Sequence, residues 1–322
     1  MSIITPIIYP SAAQFWRGGF PTYYGYVFNN RVLADLPSEY KVSAEASLCA
    51  LERLSLSIPL SLISNNVNRK HVGKYYTTTW QKNTLPSNSF FKIPNFEIYI
   101  ACPELTFLQA ARYLEFIDLV HLGFDLCAQY YSDENASFGQ RNRVPVTTPE
   151  QIIEYAKNSN HMHGSAKAIR AARYVLAFSN SPMETRLAIM LGLSTRMGGY
   201  GLNGIEMNAP IKLSKSGIEL VGVREIRGDL VWRKKKFVVE YNSKTVHNND
   251  STYYNDADRA TAFKDSGWQC IVVTPNNIKT FGAMENIARV IRKQLGLPAK
   301  KEVLSTYENE REEIFEKLFK ER

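Results

Sequence analysis

Two short runs, 229–232 and 237–241, are rich in β-branched and aromatic residues and flank the basic stretch Arg233, Lys234, Lys235 and Lys236. The pattern predicts a β-hairpin. If Trp232 pairs with Phe237 across that loop, counting back along both strands sets Asp229 opposite Glu240. Period-two alternation puts these carboxylates on one face with Val231 and Val238, and sends Leu230, Trp232, Phe237, Val239 and Tyr241 to the other. Both faces then carry bulk, so the carboxylates are expected to be partly buried. Like charges directly opposite each other destabilise a sheet unless solvent or a cation intervenes, and a divalent metal is the economical explanation.

Elsewhere the periodicity predicts a helix over 44–54, a strand over 96–100, and two helices after Cys102, the first opened by Pro103 at its first position and the second covering 117–130. Threonines and aromatics between 64 and 92 predict a small sheet. Thr148-Pro149-Glu150 opens a further helix, and Ser165 reads as the N-cap of another. Beyond a boundary near 178 come a capped helix at Ser181-Pro182-Met183-Glu184, two strands between Glu206 and Ile226 including IELVGV, the hairpin, a helix ending near Gly267, a buried strand over 268–273 and a helix over 283–295. This order describes an α/β sandwich around a mixed sheet, preceded by a mixed α+β domain over 1–178. Residues 298–322 carry an amphipathic helix that either docks on its own domain or pairs with a second copy in a homodimer.

At 322 residues and 44% hydrophobic, the chain is long enough for two domains with sizeable cores. A net charge of +8 and a pI near 9.1 fit an acidic partner such as nucleic acid, although comparable charge also occurs without one. Cys49, Cys102, Cys127 and Cys270 are far apart and show no CxxC spacing, so they read as reduced core residues. The N-terminal residues do not have the pattern of a signal peptide, and no run of eighteen apolar residues occurs. The expectation is a cytoplasmic protein that does not enter membranes.

Glu184 fits two roles. It stands at the third position of a capping box, and it also falls in line with Leu187, Ala188 and Leu191 on the apolar stripe, from which it can point toward the sheet bearing Asp229 and Glu240. Arg233 to Lys236 at the hairpin tip, and Arg170 with Arg173 on the helix after Ser165, can carry phosphates or simply be solvated. The same choice holds for Arg69, Lys70, His71, Lys74, Tyr75, Tyr76 and Trp80, which could form a basic, stacking-competent face. His161 and His163 lack a nearby third ligand and read as a solvated turn.

Taken together, SPMETRLAIMLGL, RGDLVW, FVVEYNSKTVH, the helix carrying Asp258 and Arg259, and SGWQCIVVT resemble the very-short-patch-repair (Vsr)-like endonucleases of the PD-(D/E)xK nuclease superfamily over residues 180–297. A fainter similarity places the first half, notably Cys102-Pro103-Glu104-Leu105, near AbiEi-like antitoxin or regulator proteins. The first resemblance implies that Asp229 bridges metal, that Glu240 is the acidic residue of the (D/E)xK element and that Glu184 completes the shell. Asn242 stands where the superfamily usually has lysine, and it can orient water but cannot act as a base. Lys244 and His247 lie just downstream, and His247 is the better proton carrier near neutral pH.

Carboxylates without a cysteine cluster favour Mg²⁺ or Mn²⁺. The expected activity is therefore metal-assisted hydrolysis of a DNA phosphodiester bond by an endonuclease. The departure at Asn242 and the antitoxin-like first half motivate a second reading, a DNA-binding regulator on a nuclease fold that has lost catalysis. A third is an interaction component of a bacterial defence or toxin system.

Overall fold

The computed structural model describes every residue except 1, 25, 27–31, 66–69, 81–83, 137–138, 243–249, 299–304 and 321–322, together with the side chains of 22 and 250–257. The chain is α/β and divides into two compact units, Met1–Val175 and Leu176–Arg322. Among the described residues no helix is long and apolar enough to cross a membrane.

The first unit opens with β1 (Ser2–Ile3), β2 (Thr5–Ile7), α1 (Ser11–Arg17), α2 (Phe20–Tyr23), β3 (Tyr40–Lys41), α3 (Ala44–Leu54), β4 (Leu60–Ser64), β5 (Tyr76–Trp80), β6 (Phe90–Lys92) and β7 (Ile98–Ala101). Five of these strands form a mixed sheet in the order β5-β4-β2-β7-β6. Its centre, β2 and β7, is buried along its whole length, as expected of strands covered on both faces. Trp16 of α1 packs there, and its indole donates to the carbonyl of Ala101 at 2.7 Å.

Then follow α4 (Pro103–Ala110), α5 (Phe116–Cys127), β8 (Tyr130–Ser132), β9 (Gln140–Asn142), α6 (Pro149–Asn158) and α7 (Ser165–Ala172). Proline begins both α4 and α6, where its missing N–H costs nothing. Thr148 and Gln151 close a capping box on α6. Ser165 is the first residue of α7 rather than its cap. Gly164, at φ +100°, holds the cap position, and the Ser165 hydroxyl donates to the carbonyl of Asn160. Of the four free cysteines, Cys102 and Cys127 are buried as expected, but Cys49 is exposed on α3.

The second unit contains α8 (Pro182–Gly192), β10 (Glu206–Lys212), α9 (Lys215–Val221), β11 (Glu225–Trp232), β12 (Phe237–Tyr241), α10 (Asp250–Asp265), β13 (Gln269–Val273), α11 (Phe281–Gln294) and α12 (Glu308–Phe319). One four-stranded mixed sheet runs in the order β10-β11-β12-β13. The first two pairings are antiparallel and the last is parallel. Where two strands were expected between Glu206 and Ile226, there is one strand and a helix. Ser214 caps α9 by accepting from the N–H of Gly217, and Gly222 at φ +73° ends it, so local capping overrides the β-branched look of IELVGV. The strand expected to be buried, β13, lies at the sheet edge with only Val273 fully covered.

Hairpin register is the one that the loop length dictates, with Trp232 paired to Phe237 and Leu230 to Val239. Val231 and Val238 join a core cluster with Ala209, Ile211, Ile226 and Phe263 of α10. Leu230, Trp232, Phe237 and Val239 are buried as well, so both faces of the hairpin are covered. Gly228 permits that packing: a Cβ there would come within 2.5 Å of a Val238 methyl and 2.8 Å of a Val231 methyl. α12 docks within this unit, on α8 and α11, and buries Phe315 and Leu318. Its Arg311, 1% exposed, donates to Glu285 of α11 at 2.7 Å, and the Tyr200 hydroxyl donates to the same carboxylate at 3.1 Å.

Candidate functional site

Backbone pairing of β11 with β12 stops at Leu230 and Val239, and one step further the side chains take it over. The N–H of Asp229 donates to Glu240 Oε1 at 3.0 Å, and the N–H of Tyr241 donates to Asp229 Oδ2 at 2.7 Å. Each carboxylate thus fills the place of a main-chain carbonyl. Both are only partly exposed, in line with the bulk on both faces.

The third acid arrives from α8. Glu184 is buried: Ser181 donates to its Oε1 at 2.9 Å, while the N–H of Asn180 at 3.0 Å and the amide of Asn208 at 2.7 Å donate to its Oε2. The Glu184 N–H donates to the Ser181 hydroxyl at the helix start, but its carboxylate accepts from the Asn180 N–H and not from the Ser181 N–H that a capping box requires, and its charge bears on Asp229. Asn208, also buried, lies on β10 at the position that the flanking pairs Met207–Leu230 and Ala209–Gly228 set opposite Asp229. It takes a left-handed backbone at φ +47°, which asparagine tolerates better than most residues. Its amide also donates to the carbonyl of Phe178, and its Oδ1 accepts from Asn180.

A counter-cation comes from the protein itself. Arg259 of α10 donates to Glu240 Oε2 at 2.8 Å and to the carbonyl of Arg227 at 2.9 Å. The guanidinium thus serves Glu240 directly and Asp229 through its charge, while Glu184 has its own hydrogen bonds, and the excess of negative charge falls on Asp229. Burial first, then the charges of Glu240 and Glu184, push its carboxyl well above the usual range, against the pull of the Tyr241 N–H and of Arg259. Burial also raises Glu184, with Glu240 adding to it, although three hydrogen bonds pull the other way. Beside them burial pushes the Cys270 thiol up to about 12, helped by Glu240.

Among the described residues no group of three or more His, Cys, Asp or Glu forms a metal-holding cluster. Asp229 and Glu240 nevertheless suit a hard cation. Asp229 Oδ1 accepts no hydrogen bond among the described residues, and the donor atoms are all carboxylate oxygens. Glu184, held by three donors, acts through its charge rather than as a ready ligand.

Asn242 follows β12, two residues after Glu240, with its N–H on the carbonyl of Val273. The remaining expected site residues lie apart or outside the described residues. Lys244 and His247, like Arg69, fall outside the described residues. Arg233 to Lys236 sit at the far end of β12 from Glu240, roughly 13 Å away along the strand. Arg233 is ion-paired with Glu206 at 2.9 Å, which leaves Lys234, Lys235 and Lys236 as the open charges of the tip. Arg170 and Arg173 belong to the first unit, and the Arg170 guanidinium stacks 4.7 Å from the Phe116 ring. Asn208 and Gly228 were not anticipated. The one available signal was an asparagine and a glycine within strands, where both are disfavoured. Comparison with family models, with curated proteins and with solved structures returned no match.

Proposed function

We propose that the second unit is a PD-(D/E)xK-type sandwich that hydrolyses phosphodiester bonds of DNA with a divalent cation held by Asp229 and Glu240. The observation carrying this reading is the Asp229–Glu240 pair itself, two partly buried carboxylates facing each other where strand pairing ends, with Asp229 driven up by burial and then by its acidic neighbours. Strongly perturbed acids of this kind concentrate at functional sites. A bound Mg²⁺ or Mn²⁺ supplies an activated water and neutralises charge on the phosphate. The chain's own part is to place the ligands. The N–H groups of Asp229 and Tyr241 fix both carboxylates, Arg259 orients Glu240, and the Glu184–Asn208 pair keeps negative charge beside Asp229.

The test is nicking of plasmid DNA by the full chain with Mg²⁺ or Mn²⁺, and its loss in Asp229→Ala and Glu240→Ala at retained melting temperature. Equal cutting by either variant rejects the proposal. A second reading, a DNA-binding regulator on the same fold without catalysis, is favoured by Arg259 standing on Glu240 and by Asn242 in place of a lysine. Salt-sensitive DNA binding with neither metal binding nor cleavage selects that reading.

A further inference from the structure

The first unit holds two adjacent cavities that share Tyr9 and Pro10. The larger, about 570 Å³, has Asp118 and Asp125 in its wall, and Asp125 is paired with Arg17 at 2.8 Å. The other, about 520 Å³, has no acidic residue in its lining among the described residues. Its polar groups include Arg112, His163 and Gln109, and its flat surfaces are aromatic. Tyr113 and Trp80 are unusually bare for such rings, 61% and 42% exposed. Tyr113 is nonetheless preorganised. It stacks on Tyr9 with ring centres 5.9 Å apart and planes 12° from parallel, and the Arg112 guanidinium lies 5.6 Å from its centre.

We infer that this cavity binds an unpaired nucleotide of a single-stranded nucleic acid. Exposed rings offer a stacking surface for a base, which any base can use because each has a π face. Arg112 lies beside the ring as a cation for the adjoining phosphate, and the absence of carboxylates removes the repulsion that the larger cavity would impose on an anionic backbone. The Gln109 carbonyl accepts from the N–H of Tyr9 at 3.2 Å, while its NH₂ donates to nothing among the described residues and is left for a base edge. A paired base cannot reach such a site, since its faces are covered within the duplex. The site belongs to a different unit from the carboxylate pair and does not depend on it.

The measurement is fluorescence anisotropy of a labelled 12-nucleotide oligo(dT), titrated with the full chain in EDTA so that no cleavage enters. Matching oligo(U) and a fully paired dT·dA duplex complete the set. Wild type is expected to bind the single strands in preference to the duplex, and oligo(U) against oligo(dT) shows whether RNA or DNA is preferred. Tyr113→Ala and Trp80→Ala should each weaken binding by roughly 5- to 150-fold, while Tyr113→Phe, which keeps the ring, should bind as wild type does. Arg112→Ala should lower the slope of log affinity against log salt by about 0.7. All three residues are exposed, so their replacement should not disturb folding. Unchanged affinity in both alanine variants of the aromatics, or equal binding to the duplex, overturns the inference.

Discussion

Arg259 stands on Glu240, its Nη2 2.8 Å from Oε2, and so takes up one of the oxygens of the carboxylate pair. The guanidinium is about one-third exposed and the carboxylate 15% exposed, which puts the pair between the surface and buried regimes. Replacing Arg259 with glutamine is expected to destabilise the metal-free protein by about 1–3 kcal/mol. It should also enlarge the rise in melting temperature produced by Mg²⁺, because a competitor for Glu240 has gone. A smaller Mg²⁺ response than wild type, measured by differential scanning fluorimetry, contradicts the competition.

Asp229 determines how the metal-free protein responds to pH. Burial, Glu240 and Glu184 raise its carboxyl well above the ordinary value of 3.8, so the folded chain binds this proton more tightly than the unfolded one. Its contribution to stability is complete below the ordinary value and is lost as pH rises through the raised one. Asp229→Asn keeps an oxygen for the Tyr241 N–H and removes the charge. In EDTA this variant should melt above wild type at pH 8, with the gap closing toward acid. For a unit of this size each kcal/mol of relieved repulsion is worth roughly 2–4 °C. A gap that widens on acidification reverses the sign and refutes the account.

Asn208 joins the start of α8 to β10 through Glu184 and the carbonyl of Phe178. Alanine at this position leaves buried Glu184 one donor short and forces a Cβ residue without a compensating side-chain bond into a left-handed backbone. The expected cost is about 2–4 kcal/mol. Urea titration of the full chain should show it as an earlier midpoint for the second unit, and a loss below 1 kcal/mol would mean that the network is dispensable.

Gly228 precedes Asp229 on β11 and leaves no room for a Cβ. In Gly228→Ala the new methyl meets Val238 and Val231 at distances that no side chain tolerates, which predicts a loss of about 1–3 kcal/mol. Adding Val238→Ala makes room, so the double variant should be less destabilised than the sum of the two single changes. Simple additivity in the double-mutant cycle would show that the clash is relieved elsewhere.

The hairpin was legible because side-chain alternation has a period of two and the loop between the strands is short, so a single register follows and Asp229 meets Glu240. Burial of the pair was legible too, from bulk on both faces: Val231 and Val238 on the side of the carboxylates, and Leu230, Trp232, Phe237 and Val239 on the other. What surrounds the pair was less so. Asn208 reaches Glu184 across 24 residues, and the Arg233–Glu206 pairing depends on how β10 lies against β11. Neither distance is a property of the local sequence. The helix α9 was misread for the opposite reason: Ile218, Leu220 and Val221 dominate a strand template, while Ser214, which caps the helix, sits just outside it and Gly222, which ends the helix, stands within the template itself. Arg259 could be placed on a helix from sequence, but its seat on Glu240 follows from packing of α10 against the sheet.

The docking of α12 also sets an order of events during synthesis. This helix follows every other element of the second unit in the chain, yet it brings the guanidinium that Glu285 faces and the phenylalanine that covers α8 and α11. A ribosome that has finished β12 needs roughly 4–16 s more to reach Phe319 at the usual pace of elongation. Throughout that interval the three carboxylates are already in the nascent chain while the helix that covers α8 and α11 is still unmade, so the core of the unit closes late.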